Sequence, residues 1–138
     1  MENGLAMTLP PLSIAQIQQL SPAALAYLGD AVYELFVRRQ YLYPPQRLHA
    51  YHQQVVSQVR AETQAMHLAT LNPYLTELET EWVRKGRNAA LTRSRRADAA
   101  SYQQASGLET LIGYLYLTNS PRLMELLSLL DFPSTALP

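Results

Sequence analysis

The chain contains no cysteine. That absence removes disulfide frameworks, thiolate metal centres and cysteine nucleophiles together, and it suits a cytoplasmic protein. Long apolar runs are missing as well. The longest, Leu111 to Leu117, falls far short of the roughly 20 residues a helix needs to cross a bilayer. A soluble protein with no membrane partner is therefore expected. The N-terminal Met1-Glu2-Asn3-Gly4-Leu5-Ala6-Met7 lacks a basic segment followed by an apolar one, so no signal peptide is expected. No internal repeat, low-complexity tract, glycine-rich phosphate loop or Ser/His/Asp arrangement stands out. Alternating strand patterns are absent too, which makes the predicted class all-α. At 138 residues the chain is read as one domain spanning 1–138, long enough to bury an ordinary core.

Net charge is also lacking, being zero over the whole chain, but its distribution is uneven. Six of the eleven basic residues (Arg84, Lys85, Arg87, Arg93, Arg95, Arg96) fall between positions 84 and 96, a window without a single acid. Such a concentration is compatible with a polyanionic partner, or with a solvated segment on a balanced surface.

What is present reads as helices separated by a recurring boundary signal. Ser21-Pro22, Asn72-Pro73 and Ser120-Pro121 each offer a side-chain acceptor followed by proline, the arrangement of an N-cap and first helical position. Ser13 with Gln16 has the spacing of a capping box. Pro44-Pro45 ends the helix that begins after Ser21, because proline supplies no amide donor. These signals predict helices over about 13–20, 22–42, 46–70, 73–85, 98–118 and 121–130, with Gly86 to Ala97 as a basic loop.

Two acids sit among apolar and small residues: Asp30 in Leu28-Gly29-Asp30-Ala31-Val32, and Glu109 in Leu108-Glu109-Thr110-Leu111-Ile112. Neither has a Lys or Arg within four residues, and a carboxylate in apolar company is costly without a compensating cation or donors. On the first helix Leu25, Leu28, Val32, Leu35 and Phe36 form an apolar stripe, while Ala23, Ala26, Val37 and Tyr41 share the side of Asp30. On the second, Tyr102, Ala105, Ser106, Gly113 and Tyr116 fall near the azimuth of Glu109. Gly113 within a helix costs about 1 kcal/mol relative to Ala, which suggests that another element or a ligand approaches closely there.

If the two helices cross at these acids, the pair matches what Mg2+ needs: one or two carboxylates, retained waters and a substrate phosphate. Each acid also has a plainer reading. Asp30 could be an N-cap with the helix starting at Ala31, and Glu109 could pair with an arginine of the basic loop. Glu34, one turn after Asp30, is either a group supporting the ligands or a surface charge. His49, His52 and His67 share a predicted helix, but no further ligand motif follows them to make a zinc site.

The segment Leu25-Ala26-Tyr27-Leu28-Gly29-Asp30-Ala31-Val32-Tyr33-Glu34 resembles the signature helix of ribonuclease III catalytic domains. Ser106-Gly107-Leu108-Glu109-Thr110-Leu111-Ile112-Gly113-Tyr114-Leu115-Tyr116-Leu117 resembles that family's second motif, and the similarity covers about 20–130. Arg84-Lys85-Gly86-Arg87-Asn88-Ala89 is similar to a segment typical of the Mini-ribonuclease III family, the short bacterial form without a double-stranded-RNA-binding module. The second motif lies close to the end of the chain, as in that form. Two signature glutamates of full-length ribonuclease III fall here on Ala23 and Ala26, and an aspartate of its second motif falls on Ser106. The ligands carried over are therefore Asp30 and Glu109 alone, with Glu34 and Ser106 as supporting groups.

The resemblance implies a ribonuclease III-like helical bundle acting as a Mg2+-dependent endoribonuclease, with Mn2+ able to substitute. It implies double-stranded RNA as substrate, specifically the ends of the 23S ribosomal RNA precursor, and a cytoplasmic homodimer. Arg84, Lys85, Arg87, Asn88, Arg93, Arg95 and Arg96 are the expected RNA contacts. Two rivals remain at this point: a non-catalytic RNA-binding or ribosome-assembly scaffold on the same fold, and a helical dimerisation protein without affinity for nucleic acid.

Overall fold

The computed structural model describes residues 9–91 and 99–134. Among the described residues seven α-helices follow one another: α1 (Ile14–Gln18), α2 (Pro22–Gln40), α3 (Leu48–Val59), α4 (Ala61–Leu71), α5 (Glu77–Leu91), α6 (Ala99–Thr118) and α7 (Ser120–Leu127). The fold is all-α, as the patterning predicts, with no strand among the described residues.

Capping explains the first two starts. Ser13 and Gln16 form the predicted reciprocal box, and Ser21 Oγ accepts from the Ala24 amide at 3.0 Å with Pro22 in the first helical position. Two other starts differ from expectation. Asn72–Tyr74 forms a short 3₁₀ turn, and α5 begins after a Thr76–Glu79 box, in which the Glu79 amide donates to Thr76 Oγ1 at 3.1 Å and the Thr76 amide to Glu79 Oε1 at 2.9 Å. At α7 the cap is Asn119, one residue earlier than Ser120, and Pro121 takes the second position.

The predicted helix over 46–70 is two helices, broken where Arg60 turns to extended backbone (φ −73°, ψ 158°). Polar side chains take the carbonyls freed there. Thr63 Oγ1 donates to Ser57 O at 2.6 Å and Gln64 Nε2 to Val59 O at 2.8 Å.

The predicted loop over Gly86 to Ala97 is helical in its first part. Helix α5 runs on to Leu91 and carries Arg84, Lys85, Arg87 and Asn88. Lys and Arg are good helix formers, and Gly86, the one weak residue, is retained for packing: a Cβ there would overlap the side chain of Thr110. The expected contacts Arg93, Arg95 and Arg96 lie outside the described residues.

Helix α6 is the axis of the core, with Leu108, Leu111, Ile112 and Leu115 buried against Leu25, Tyr33 and Val37 of α2 and against α4, α5 and α7. Contact between α2 and α6 is backbone to backbone. A Cβ on Gly29 would overlap the Glu109 carbonyl and lie 2.9 Å from the Gly113 amide; a Cβ on Gly113 would overlap the Leu25 carbonyl. The expected close approach at Gly113 is thus the crossing of α2 itself, and it sets Asp30 beside Glu109.

The α2 surface is divided differently from the helical-wheel reading. Leu35 is exposed, and Val37 and Tyr41 are buried although they share the azimuth of Asp30. Near the C-terminal end of α2 the segment after α7 packs against it, where Tyr41 Oη donates to Pro133 O at 2.8 Å and the Phe36 and Phe132 rings meet edge to face. The N-terminal half opens onto a cleft, lined there by Ala23, Ala26 and Asp30.

Candidate active site

That cleft has a volume of about 350 Å³. Its floor is made of small residues, Ala23 and Ala26 from α2 and Gly86, Ala89 and Ala90 from α5. The polar groups on its walls include Asp30, Tyr102, Ser106 and Glu109.

Asp30 lies within α2 and not at its start, so it is no N-cap. Its side chain is exposed to the cleft and within hydrogen-bonding reach of Glu109. Among the described residues neither acid belongs to an ion pair with Lys or Arg.

Burial, then the hydrogen bond and charge of Asp30, push the Glu109 carboxyl up to about 8, while a hydrogen bond from Gln64 pulls in the opposite direction. Two carboxylates this close cannot both ionise comfortably without a cation. The donor set therefore suits a divalent ion that takes oxygen ligands. Two carboxylates form the set, since the described residues contain no group of three or more His, Cys, Asp or Glu placed to hold a metal.

The other sequence-derived candidates are distributed as follows. Ser106 is buried on the cleft wall one turn before Glu109. Glu34 turns along α2 to Arg38 in an i,i+4 ion pair and is not part of the cleft lining. Arg84 pairs with Glu81 one turn back, and the Lys85 ammonium sits 4.4 Å from the centre of the Trp82 ring, which in turn stacks on Tyr114. Arg87 is half-buried near Gly107 and Asn88 is exposed, both on the helix whose small residues form the cleft floor.

His49 and His52 are exposed on α3. His67 is buried, with Nδ1 2.9 Å from Tyr33 Oη, and burial lowers its pKa. Beneath the pair, Tyr33 is fully buried; burial first and then the charge of Glu109 raise the pKa of its hydroxyl, which also lies 2.9 Å from Gln58 O.

One participant is not evident from single residues. Gln64 of α4 is buried and its Nε2 donates to Glu109 Oε2 at 3.1 Å. The signal for it is a polar member in an otherwise inward stripe, Gln64, His67, Leu68 and Leu71, at helical spacing.

Residues 23–120 match the Ribonuclease III domain family, a span that includes both carboxylates and both crossing glycines. A Mini-ribonuclease 3 from Synechocystis sp. is 59% identical over 129 residues, covering 94% of this chain and 90% of that protein. The Mini-ribonuclease 3 of Thermosynechococcus vestitus is 58% identical over 112 residues, covering 81% of this chain and 74% of that protein. The fold is shared with a crystal structure of a Fusobacterium nucleatum protein, 25% identical, with a TM-score of 0.73 over 81% of this chain and 93% of that one. Identity this high along almost the whole length, over a domain match that contains the carboxylate pair, means that the chain belongs to the Mini-ribonuclease 3 branch of the ribonuclease III endoribonucleases.

Proposed function

We propose that the protein hydrolyses phosphodiester bonds in double-stranded RNA with Mg2+ as its cofactor. We assign its substrate as the precursor of 23S ribosomal RNA, whose 5′ and 3′ ends it matures as a cytoplasmic homodimer with one site per subunit. The observation that carries this reading is the meeting of Asp30 and Glu109, two acids far apart in sequence, across the Gly29–Gly113 crossing in a cleft floored by small side chains.

Asp30 and Glu109 are the residues that would hold the ion, with Mn2+ able to take the place of Mg2+. When bound, the ion supplies Lewis acidity, offsetting negative charge that builds on the phosphate and making water a stronger acid. The chain's own residues define where this happens. Ala23, Ala26, Gly86 and Ala89 leave room for a backbone phosphate, and Ser106 presents a hydroxyl-bearing residue on the same wall. Cleavage leaves 5′-phosphate and 3′-hydroxyl ends.

Duplex RNA offers shape, phosphates and 2′-hydroxyls to a protein, since its deep major groove hides the base edges. The basic residues of α5, with Arg93, Arg95 and Arg96 after them, are assigned to those phosphates, and binding is then strongly salt-dependent. Replacing Arg93, Arg95 and Arg96 with Ala lowers duplex affinity and flattens its dependence on salt; an unchanged slope in a binding titration moves recognition elsewhere. A dimer is supported by one face of α2 on which Ala24, Tyr27, Ala31 and Leu35 are exposed, Tyr27 at 85%. Helices α2 to α7 share one hydrophobic core, which supports reading the chain as a single catalytic domain.

End-labelled duplex RNA tests the reading. Cuts in Mg2+ and binding without cuts in Ca2+ are expected. Binding without cuts in Mg2+ identifies a non-catalytic scaffold, and no binding at any salt concentration identifies a protein that only dimerises.

A further inference from the structure

We propose that Gln64 is a positioning residue for Glu109, holding its carboxylate by a neutral amide from the side opposite the cleft. The inference rests on the reading of Asp30 and Glu109 as the metal pair and adds the group that orients one of them.

Three observations support it. Gln64 is 2% exposed and is not part of the cleft lining, so it reaches Glu109 from the protein interior while Asp30 reaches it from the cleft. Its amide is itself fixed: Nε2 donates to Val59 O at 2.8 Å and to Glu109 Oε2 at 3.1 Å. The Val59 carbonyl is free to accept because the chain leaves helical geometry at Arg60. The break between α3 and α4 therefore has a use, since a continuous helix would have engaged that carbonyl in its own ladder.

The third observation is that Gln64 Oε1 is buried without a hydrogen-bond partner among the described residues. Turning the amide over would place this oxygen against two acceptors, so the orientation with Nε2 inward is set by its neighbours. Leaving a buried acceptor unmatched lowers stability. A residue selected for packing alone gains nothing from that arrangement, whereas one selected to aim a donor at Glu109 does.

The neutrality of the amide is the functional point. An Arg or Lys in this place would hold the carboxylate too, but would also cancel the charge that a divalent ion requires. A neutral donor bound to Oε2 fixes the rotamer, leaves Oε1 for the cleft, and keeps the pair's charge available. Outer groups that orient ligands in this way typically change metal affinity about 10–100-fold when removed.

The test uses Gln64→Leu, and Gln64→Met, an unbranched replacement of similar length to Gln, should Leu fail to fold. Each is compared with wild type by Mn2+ titration calorimetry without RNA, by duplex cleavage kinetics, and by crystal structures without metal. Expected are Mn2+ affinity about 10-fold weaker or more, a lower kcat with KM for the duplex unchanged, and a Glu109 carboxylate turned from its wild-type rotamer. A role limited to donating to the Val59 carbonyl lowers the melting temperature and leaves Mn2+ affinity and rotamer as they were; that result overturns the proposal. If wild type itself binds no Mn2+, the metal-pair reading fails, and the metal-free crystals still decide. There, a turned carboxylate upholds the role of Gln64, and an unmoved one overturns it.

Discussion

Two buried or half-buried glutamates in this protein have opposite surroundings. Glu79, at the start of α5, is gripped by Arg122 of α7, with Nε 2.8 Å and Nη2 2.9 Å from its two oxygens and a further bond from the Thr76 amide. The Arg122 hydrogen bond, foremost, holds its carboxyl below the ordinary range. Glu109, on α6, faces another acid and an amide, and its carboxyl is pushed up to about 8. The first arrangement completes itself and ties α7 to α5. The second is left short of positive charge, which is the condition in which a site is ready for a cation. A buried acid on its own is therefore uninformative; the identity of its partner separates a structural role from a chemical one.

The largest effect that tests this contrast is Asp30→Asn. Cleavage is expected to fall roughly a thousandfold or more, while duplex binding in Ca2+ and the melting temperature of the metal-free protein stay the same or rise, because a repulsion has been removed. Normal cleavage by this variant excludes Asp30 as a ligand. Glu79→Ala is expected to show the reverse pattern. Breaking an ion pair whose side chains are 21% and 7% exposed costs about 3 kcal/mol of stability in urea unfolding, with cleavage per folded molecule retained. Loss of cleavage without loss of stability would contradict the assignment.

The two glutamates also titrate with opposite signs. Glu109 rises from an ordinary 4.5 to about 8, so between those values the native state keeps a proton that the unfolded state has lost. Its contribution is fully present below about pH 4.5 and is lost as pH rises through about 8. Glu79 is depressed, so its contribution is present above the ordinary carboxylate range and is lost as pH falls through its lowered value. Urea midpoints of the metal-free protein should therefore decline from about pH 5.5 to about 8.5. Glu109→Gln should flatten that decline, and Mg2+ should bind more tightly as pH rises, because binding expels the proton. A flat wild-type profile would contradict the crowding of the pair.

The smallest expected effect concerns an exposed pair. Arg84→Ala breaks a bond to Glu81 on the surface of α5 and should leave stability unchanged. It should also weaken duplex binding with a salt slope reduced by about 1. No change in either quantity would remove Arg84 from the RNA contacts.

The features that carry this contrast were unequally visible in the sequence. Asp30 and Glu109 stand out because each lacks a local cation, and Gly113 marks the crossing because a helix has no internal reason to carry it. The caps at Ser13 and Ser21 are local, with each donor three residues from its acceptor, and they form as read.

What is not legible depends on tertiary contact. Arg60 breaks a helix at a place marked by neither proline nor glycine, where Thr63 and Gln64 reach back for the freed carbonyls. The basic run continues α5 because Gly86 packs on Thr110 of α6, a neighbour 24 positions away. Val37 and Tyr41 share a wheel position with Asp30 and are nonetheless buried, because tertiary packing takes both into the main core, where the Tyr41 hydroxyl also reaches Pro133 O. Gln64 is a polar residue in an inward stripe, and only the position of Glu109 on another helix gives it a purpose.

The most direct test of the central claim is the anomalous difference map of a crystal soaked in Mn2+. The account predicts one strong peak bridged by the carboxylates of Asp30 and Glu109, in the cleft beside Ser106. A map with no peak between those carboxylates while Mn2+ occupies other sites, or with either acid turned to an arginine, would contradict it.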